Sequence, residues 1–365
     1  MGLGFKLRTL PVVYRAKFEK GKWKSEYLEK PHKSPKEEKA MKASQRDALV
    51  ALRNIHDDLK LVNHSTMYGV SCFEGLKAMP QKSGDMSLFR PDQNAARFHR
   101  SMKGLYMPPF PEDLFVKACV EVVKRNVKMG FGVEYKSAWE KDSFISAESI
   151  YLRPFVIADS DLNFDIAREP TMYIICSPVS SLFKPNDAGA LVSHRFRATR
   201  NGTGWIKAAA NYTISALAKH EASMAGYMEA VFLDAEHRKY LEEGSACNLF
   251  FYLKTGELVT PELGDTILPG ITRASLIELA RDLKIKVSER LISIEEVQDK
   301  AVEFFACGTG AGITPIAAIT YKKKKTVFNK GQVGEVTAKL RDTLKGIQYG
   351  VIPDTKGWTK KVPLK

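Results

Sequence analysis

The segment NGTGWIKAAANY, Asn201 to Tyr212, places one lysine between a glycine-containing turn and three alanines. Small residues on both sides allow other groups to pack closely, which would leave the amine of Lys207 among apolar neighbours. Loss of hydration lowers the pKa of an amine, and a neutral amine can attack an aldehyde to form a Schiff base. A lysine in such a pattern is more often solvated, so this segment alone indicates only a candidate nucleophile.

Further along the chain, KYLEEGSACNLFFY (239–252) has two adjacent glutamates before a glycine and an apolar run. Neighbouring residues on a strand face opposite sides, so the pattern predicts that only one of Glu242 and Glu243 points inward. A buried carboxylate needs a cationic partner, which a pyridinium nitrogen can supply. Read in isolation, two solvated glutamates at a hairpin are the commoner outcome.

The next segment, LPGITRASLIELARDL (268–283), predicts a helix that begins just after Gly270. Its first backbone amides, those of Ile271 and Thr272, would lie at a helix N-terminus, where phosphate and other anions bind. Most helix starts of this composition bind no ligand, so this motif is also weak alone.

The rest of the chain alternates between predicted strands and helices. A length of 365 residues predicts two domains. Strands are predicted at 12–18, as an edge strand, and at 87–91, with helices in NAARFHRSMKGL and FVKACVEVVKRNV. The pattern indicates an α/β or α+β chain. We expect domains at 1–176 and 191–365, joined by an interdomain loop at 177–190 that contains SSLFKPNDAG.

Taken together and in this order, several segments resemble the branched-chain aminotransferases, pyridoxal 5'-phosphate enzymes of fold type IV. The matching segments are HSTMYGVSCFEGLKA, FRPDQNAARFHRSM, IYLRPFVIA, NGTGWIKAAANY, YLEEGSACNLF, LPGITRASL, FFACGTGAGITPI and IQYGVIPDTKGW. The resemblance implies a small N-terminal α/β domain and a larger, β-barrel-like C-terminal domain with flanking helices. It also implies a homodimer.

The resemblance assigns the cofactor residues. It implies that Lys207 forms the Schiff base with pyridoxal phosphate and then moves the proton between the substrate Cα and the cofactor C4′. Glu243 would pair with the pyridine nitrogen, and Tyr212 would hydrogen-bond the phenolate oxygen. The phosphate would be held by Arg97, Ile271, Thr272 and Thr309.

The resemblance also implies the reaction. The amino group of L-leucine, L-isoleucine or L-valine would pass reversibly to 2-oxoglutarate, giving branched-chain 2-oxo acids and L-glutamate. The substrate positions are Tyr68, Phe73, Tyr151, Arg153, Thr309 and Gly310. We expect Arg153 to pair with the distal carboxylate of glutamate, and the amides of Thr309 and Gly310 to bind the α-carboxylate.

Alternatives stay open at this point. D-Amino-acid aminotransferases and aminodeoxychorismate lyases share the lysine and the glutamate. A catalytically inactive, basic protein that binds polyanions would explain the net charge of +14. The chain also departs from mammalian relatives, because Ala311 and Thr314 stand where those have paired cysteines, and Ala246 replaces a threonine. Thiol redox regulation is therefore not expected, although Cys307 lies nearby.

Composition excludes several other classes. The lysines follow no nucleic-acid-binding pattern, so no nucleic-acid partner is expected. The longest apolar runs are too short to span a bilayer, and the basic N-terminus lacks the apolar core of a signal peptide. Five scattered cysteines predict neither a disulfide framework nor a metal site. We expect a cytoplasmic location, with mitochondrial import as the alternative.

Overall fold

A computed structural model describes residues 6–56, 59–159, 165–180 and 189–364 of the chain. The strands are β1 (Val12–Glu19), β2 (Lys22–Glu29), β3 (Leu76–Pro80), β4 (Met86–Phe89), β5 (Ser149–Ile157), β6 (Thr171–Val179), β7 (Ala190–Val192), β8 (Glu229–Leu233), β9 (Leu241–Gly244), β10 (Asn248–Leu253), β11 (Glu257–Thr260), β12 (Lys286–Glu289), β13 (Ala301–Gly308), β14 (Gly312–Pro315), β15 (Ala318–Tyr321), β16 (Lys324–Val327) and β17 (Thr359–Val362). The helices are α1 (Pro35–Ala40), α2 (Ala43–Arg53), α3 (His64–Tyr68), α4 (Pro91–Gly104), α5 (Glu112–Lys128), α6 (Ala138–Lys141), α7 (Asn211–Met224), α8 (Ile271–Asp282), α9 (Ile294–Lys300) and α10 (Glu335–Gln348), with a 3₁₀ turn at Asn329–Gly331.

The chain divides into two compact units. Unit 1 contains residues 1–181, 208–210 and 346–365, and unit 2 contains residues 182–207 and 211–345. The predicted interdomain loop, 177–190, includes residues 181–188, which lie outside the described residues. Residues 346–365 belong to unit 1 because β17 pairs antiparallel with β4, whereas the predicted second domain, 191–365, included them.

Unit 1 contains a seven-stranded sheet in the order β17-β4-β3-β5-β6-β1-β2. The sequence correctly predicts a strand at 12–18, but its assignment to a sheet edge is wrong. β1 lies inside the sheet, because it pairs with β6 on one side and with β2 on the other. β2 forms the edge, and its alternating polar residues are largely exposed.

Helices α4 and α5 contribute to the core of unit 1 together with residues of the sheet. Phe98 of α4 and Phe115 of α5 are buried in one cluster with Leu152 of β5 and Ile174 of β6. Burial alternates along β5: Ile150, Leu152, Pro154 and Val156 are buried, and the residues between them are half-buried. This alternation leaves the second face of β5 available for a site.

Unit 2 contains two five-stranded sheets, in the orders β12-β11-β10-β13-β14 and β16-β15-β7-β8-β9. Their strands share one apolar core, in which Val231 of β8 is clustered with Phe251 of β10 and Phe304 of β13. Helix α7 packs on β8 through Ala218 and Ala222. The structure therefore confirms the mixed α/β class.

In the ranges that the structure describes, no helix is long and apolar enough to cross a membrane. The same described residues contain no group of three or more histidine, cysteine or acidic side chains that could hold a metal ion. All five cysteines are buried free thiols.

Candidate active site

The side chain of Asn211 contributes to the shape of the segment around Lys207. The Asn211 side chain donates hydrogen bonds to the carbonyls of Thr203 (2.7 Å) and Ile206 (2.9 Å), and so closes the chain into a tight turn. Gly204 is needed in this turn, because a Cβ there would lie 2.5 Å from the carbonyl oxygen of Thr266. In unit 2, Lys207 Nζ donates to the hydroxyl of Tyr212 over 3.0 Å. The structure therefore brings together two of the residues that the sequence singles out, Lys207 and Tyr212.

The alanines after Lys207 pack in unit 1. Ala208 forms a β-bridge with Cys72, and the amide of Ala209 donates to the carbonyl of Ser71 over 2.9 Å. A Cβ on Gly69 would lie 3.2 Å from the Cβ of Ala210. Small side chains are thus required at this contact, as the sequence indicates.

Glu243 is a buried carboxylate with a cationic partner. Its Oε1 lies 2.7 Å from Nη1 of Arg197, and both side chains are 4% exposed. The amide of Leu268 donates to the same oxygen over 3.0 Å. Burial raises the pKa of Glu243 to about 7, while Arg197 acts in the opposite direction. A cation placed against this carboxylate would stabilise its ionised form.

The expectation that only one of the adjacent glutamates points inward is wrong. Glu242 is 7% exposed and Glu243 is 3% exposed. Glu242 is also removed from bulk solvent, because it lines a cavity together with residues 261–267 and is hydrogen-bonded to Thr266. Burial also raises the pKa of Glu242, and a hydrogen bond with Thr266 opposes this shift. Strand alternation separates the two side chains but does not expose one of them.

Helix α8 supplies a candidate phosphate site in unit 2. Its N-cap is Gly270, which has no side chain to satisfy the first amides, those of Ile271 and Thr272. A Cβ on Gly270 would lie 1.9 Å from Oδ1 of Asn248, whose Nδ2 donates to the carbonyl of Leu268 over 3.0 Å. Leu268, whose amide donates to Glu243, thus lies only three residues before the first residue of α8.

Thr309 and Gly310 lie in the turn between β13 and β14, which is closed by the pairing of Gly308 with Gly312. Thr314 donates its hydroxyl to the carbonyl of Ala311 over 2.9 Å. These two residues, which replace the paired cysteines, thus stabilise the turn by a hydrogen bond. Cys307 is buried, and burial raises its pKa to about 12.

The predicted substrate residues Phe73, Tyr151 and Arg153 come together in unit 1. Nη2 of Arg153 donates to the hydroxyl of Tyr151 over 2.8 Å, and its guanidinium lies 4.6 Å from the centre of the Phe73 ring. Nε of Arg153 is buried without a hydrogen-bond partner among the described residues. Tyr68, at the end of α3, is 38% exposed. The arrangement combines apolar rings with one cation.

Arg97 is also in unit 1, but it is already paired. Its Nε and Nη2 donate to the two carboxylate oxygens of Glu74 over 2.7 and 2.8 Å. The sequence motifs assign no role to Glu74 or Arg197. The only available signal for Glu74 is its place in the segment CFEGLKA, and Arg197 has no motif of its own.

Comparisons with known proteins identify the family. The family described as "Amino-transferase class IV" matches residues 71–319. The branched-chain-amino-acid aminotransferase of Mycolicibacterium smegmatis is 40% identical over 307 residues, which are 81% of this chain and 80% of that protein. The chain belongs to the class IV aminotransferases. Within them it is a branched-chain amino acid aminotransferase.

Solved structures of this family have the same fold. The branched-chain aminotransferase of Thermoproteus uzoniensis, solved with norvaline, has a TM-score of 0.74 and 26% identity, and covers 97% of this chain and 99% of its own. The branched-chain amino acid aminotransferase of Thermobaculum terrenum, solved in its PLP form, has a TM-score of 0.70 and 26% identity, and covers 98% of this chain and 99% of its own.

Pyridoxal 5'-phosphate is the cofactor of this aminotransferase, and residues of unit 2 fit it. The buried Glu243 carboxylate, with its raised pKa, suits a protonated ring nitrogen. The contact of Lys207 with Tyr212 suits the aldehyde carbon and the neighbouring phenolate oxygen. The N-terminus of α8 suits the phosphate.

Proposed function

We propose that this branched-chain aminotransferase transfers the amino group of L-leucine, L-isoleucine or L-valine to 2-oxoglutarate through Lys207. The observation that carries this proposal is the 3.0 Å contact between Lys207 Nζ and the Tyr212 hydroxyl, in the same unit as the buried Glu243. Bound pyridoxal phosphate supplies a sink for the electron pair left at the substrate Cα. With the cofactor bound, the amine of Lys207 would act as the general base that takes up the Cα proton of the substrate and as the acid that gives it back.

We further propose a role for each surrounding group. Glu243 keeps the ring nitrogen protonated, because its carboxylate is buried and needs a cation. Tyr212 donates to the phenolate oxygen, and the amides of Ile271 and Thr272 bind the phosphate together with Arg97 and Thr309.

The enzyme must bind an aliphatic side chain in one half-reaction and the carboxylated side chain of glutamate in the other. We propose that Phe73, Tyr68 and Tyr151 contact the aliphatic side chain, while Arg153 binds the distal carboxylate of glutamate. The buried Nε of Arg153, which lacks a hydrogen-bond partner among the described residues, supports this assignment. The amides of Thr309 and Gly310 are proposed to bind the α-carboxylate.

An amino-donor assay tests the proposed substrates. Purified enzyme with pyridoxal phosphate and 2-oxoglutarate is expected to form glutamate from L-leucine, L-isoleucine and L-valine. The same enzyme is expected to form none from D-alanine. Transfer from D-alanine with none from the three L-amino acids would contradict the proposal and favour a D-amino-acid aminotransferase.

We propose a homodimer, supported by an exposed apolar stretch in unit 1. Among the described residues between 52 and 68, the large exposed apolar side chains are Leu52, Ile55, Leu59, Leu61, Val62, Met67 and Tyr68, of which Leu61 is 87% exposed. Apolar surface of this extent is commonly covered by a partner, and a second copy would cover it. Light scattering should give a dimer mass for the wild type and Leu291→Glu, but a lower mass for Leu61→Glu. A monomeric wild type would contradict this proposal.

We also propose a cytoplasmic location. Five free thiols are usual in a reducing compartment and unusual in secreted proteins. Imaging of the full chain fused to a fluorescent protein would distinguish the cytoplasm from mitochondria, and a mitochondrial signal would contradict the proposal.

A further inference from the structure

Glu74 is a fully buried carboxylate for which the reaction has no direct use. It lies just before β3 in unit 1, and its side chain is 0% exposed. Burial of an ionised carboxylate is unfavourable unless several donors compensate for the lost water. The hydrogen bonds of the Glu74 carboxylate therefore indicate its role.

At least four donors from the described residues contact the Glu74 carboxylate. Arg97 approaches side-on, with Nε 2.7 Å from Oε1 and Nη2 2.8 Å from Oε2. Asn94 Nδ2 donates to Oε2 over 2.7 Å, and the amide of Gly75 donates to it over 3.1 Å. Asn94 and Arg97 are three residues apart on α4, so they lie on the same face of the helix. One face of α4 is thus fixed to the segment before β3.

The backbone of Glu74 is fixed as well. Its amide donates to the carbonyl of Pro154 in β5 over 2.7 Å. The carboxylate therefore cannot move with Arg97, and the two parallel hydrogen bonds hold the plane of the guanidinium in one orientation. Rotation of a long arginine side chain, which would otherwise oppose binding, is suppressed before any ligand arrives.

The ion pair with Glu74 also changes how Arg97 can interact with a phosphate, because it affects both the net charge and the hydrogen-bond donors of Arg97. Arginine has five N–H donors in a rigid plane, and the side-on contact engages one on Nε and one on Nη2. The donors of Nη1 and the second donor of Nη2 point away from Glu74. The charge of the pair is close to zero, so Arg97 offers directed hydrogen bonds more than a net positive charge.

We propose that Glu74 is a positioning residue for the cofactor phosphate, acting by fixing the orientation of Arg97. This inference rests on the proposed function, because it takes Arg97 as a phosphate ligand. It requires that loss of Glu74 weaken the binding of phosphorylated cofactor selectively. A purely structural ion pair would instead affect stability alone, or would affect all ligands equally.

The test compares the binding of pyridoxal phosphate and of pyridoxal, which lacks the phosphate, to apoprotein by fluorescence titration. Glu74→Gln is expected to raise the dissociation constant for pyridoxal phosphate about tenfold or more, since hydrogen bonds to charged groups of this kind are worth that factor. The constant for pyridoxal is expected to stay within about twofold. Glu74→Asp should recover part of the loss. Asn94→Ala should show a smaller change in the same direction.

The matched control is another buried arginine–glutamate pair of unit 1, Arg53 with Glu38. Glu38→Gln is expected to lower the thermal midpoint of the apoprotein without selective loss of pyridoxal phosphate. The double variant Glu74→Gln with Arg97→Met should bind no more weakly than Arg97→Met alone, because Glu74 acts through Arg97.

Three results would overturn the inference: Glu74→Gln binds pyridoxal phosphate like the wild type, both ligands weaken equally, or the two substitutions add. If Glu74→Gln does not fold, the same comparison made on Glu74→Asp and Asn94→Ala decides. A wild-type protein that binds no pyridoxal phosphate would instead contradict the proposed function itself.

Discussion

Arg97 and Glu243 are both proposed cofactor ligands, and each has a buried counter-ion from its own unit. Glu74 pairs with Arg97 in unit 1, and Arg197 pairs with Glu243 in unit 2. Buried ion pairs contribute little net stability, because desolvation offsets the attraction between the charges. We expect the first pair to orient the guanidinium of Arg97 and the second to control the ionisation of Glu243.

Arg197 should set the pH range of cofactor binding. Burial raises the pKa of Glu243 to about 7 and Arg197 opposes that shift, so Arg197→Met should raise this pKa further. The ring nitrogen pairs with the carboxylate, so affinity for pyridoxal phosphate should fall as pH decreases through the pKa of Glu243. In the variant this loss should begin at higher pH. Titrations at a series of pH values measure it.

The control for that experiment is Arg195→Met. Arg195 lies in the same segment but pairs with Glu221, which is 38% exposed. Its removal should leave the pH dependence unchanged. An identical pH dependence in Arg197→Met and the wild type would show that Arg197 does not control Glu243.

Arg153 should distinguish the two half-reactions. Its guanidinium lies beside Phe73 and Tyr151, and no acidic side chain among the described residues pairs with it. Arg153→Met should slow the reaction with L-glutamate at least about tenfold, the value of one charge-assisted contact, and leave the reaction with L-leucine within about threefold. Stopped-flow absorbance of the cofactor measures both. Equal rates with glutamate before and after substitution would refute the assignment.

The N-terminus of α8 depends on one glycine. A Cβ on Gly270 would meet Oδ1 of Asn248 at 1.9 Å, and Asn248 is fixed by its bond to the Leu268 carbonyl. Gly270→Ala should break that bond, lower the free energy of unfolding by about 1–3 kcal/mol, and weaken binding of pyridoxal phosphate. Urea unfolding and cofactor titration measure the two effects.

Gly264→Ala is the matched control, because nothing lies within 4 Å of a Cβ at Gly264 in the same loop. It should change neither quantity. If Gly270→Ala also leaves cofactor affinity unchanged, the end of α8 is not the phosphate site.

The strands and helices could largely be predicted from the sequence. The order of strands in a sheet and the ion pairs between distant segments could not. The alternation of apolar residues in 12–18 predicts β1, but its place inside the sheet depends on β2, whose polar composition gives little strand signal. The family motifs predict Lys207 and Glu243. Their order in the chain does not reveal Arg197 or Glu74, since ion pairs between distant segments arise only when the chain folds.

The reactivity of the five cysteine thiols tests the fold of both units. All five are buried, and burial raises the pKa of each thiol, to about 12 at Cys307. Thiolates are the reactive form. A chromogenic disulfide reagent should therefore modify none in the native protein and all five after denaturation. Rapid modification of the native enzyme with loss of activity would contradict both the burial and the absence of thiol regulation.

The visible spectrum of the purified protein with pyridoxal phosphate tests the role of Lys207 most directly. We predict a long-wavelength band from the cofactor bound to Lys207, which L-leucine bleaches and which the Lys207→Ala variant lacks. A wild-type protein without the band, or a Lys207→Ala variant that keeps it and still responds to L-leucine, would contradict this role.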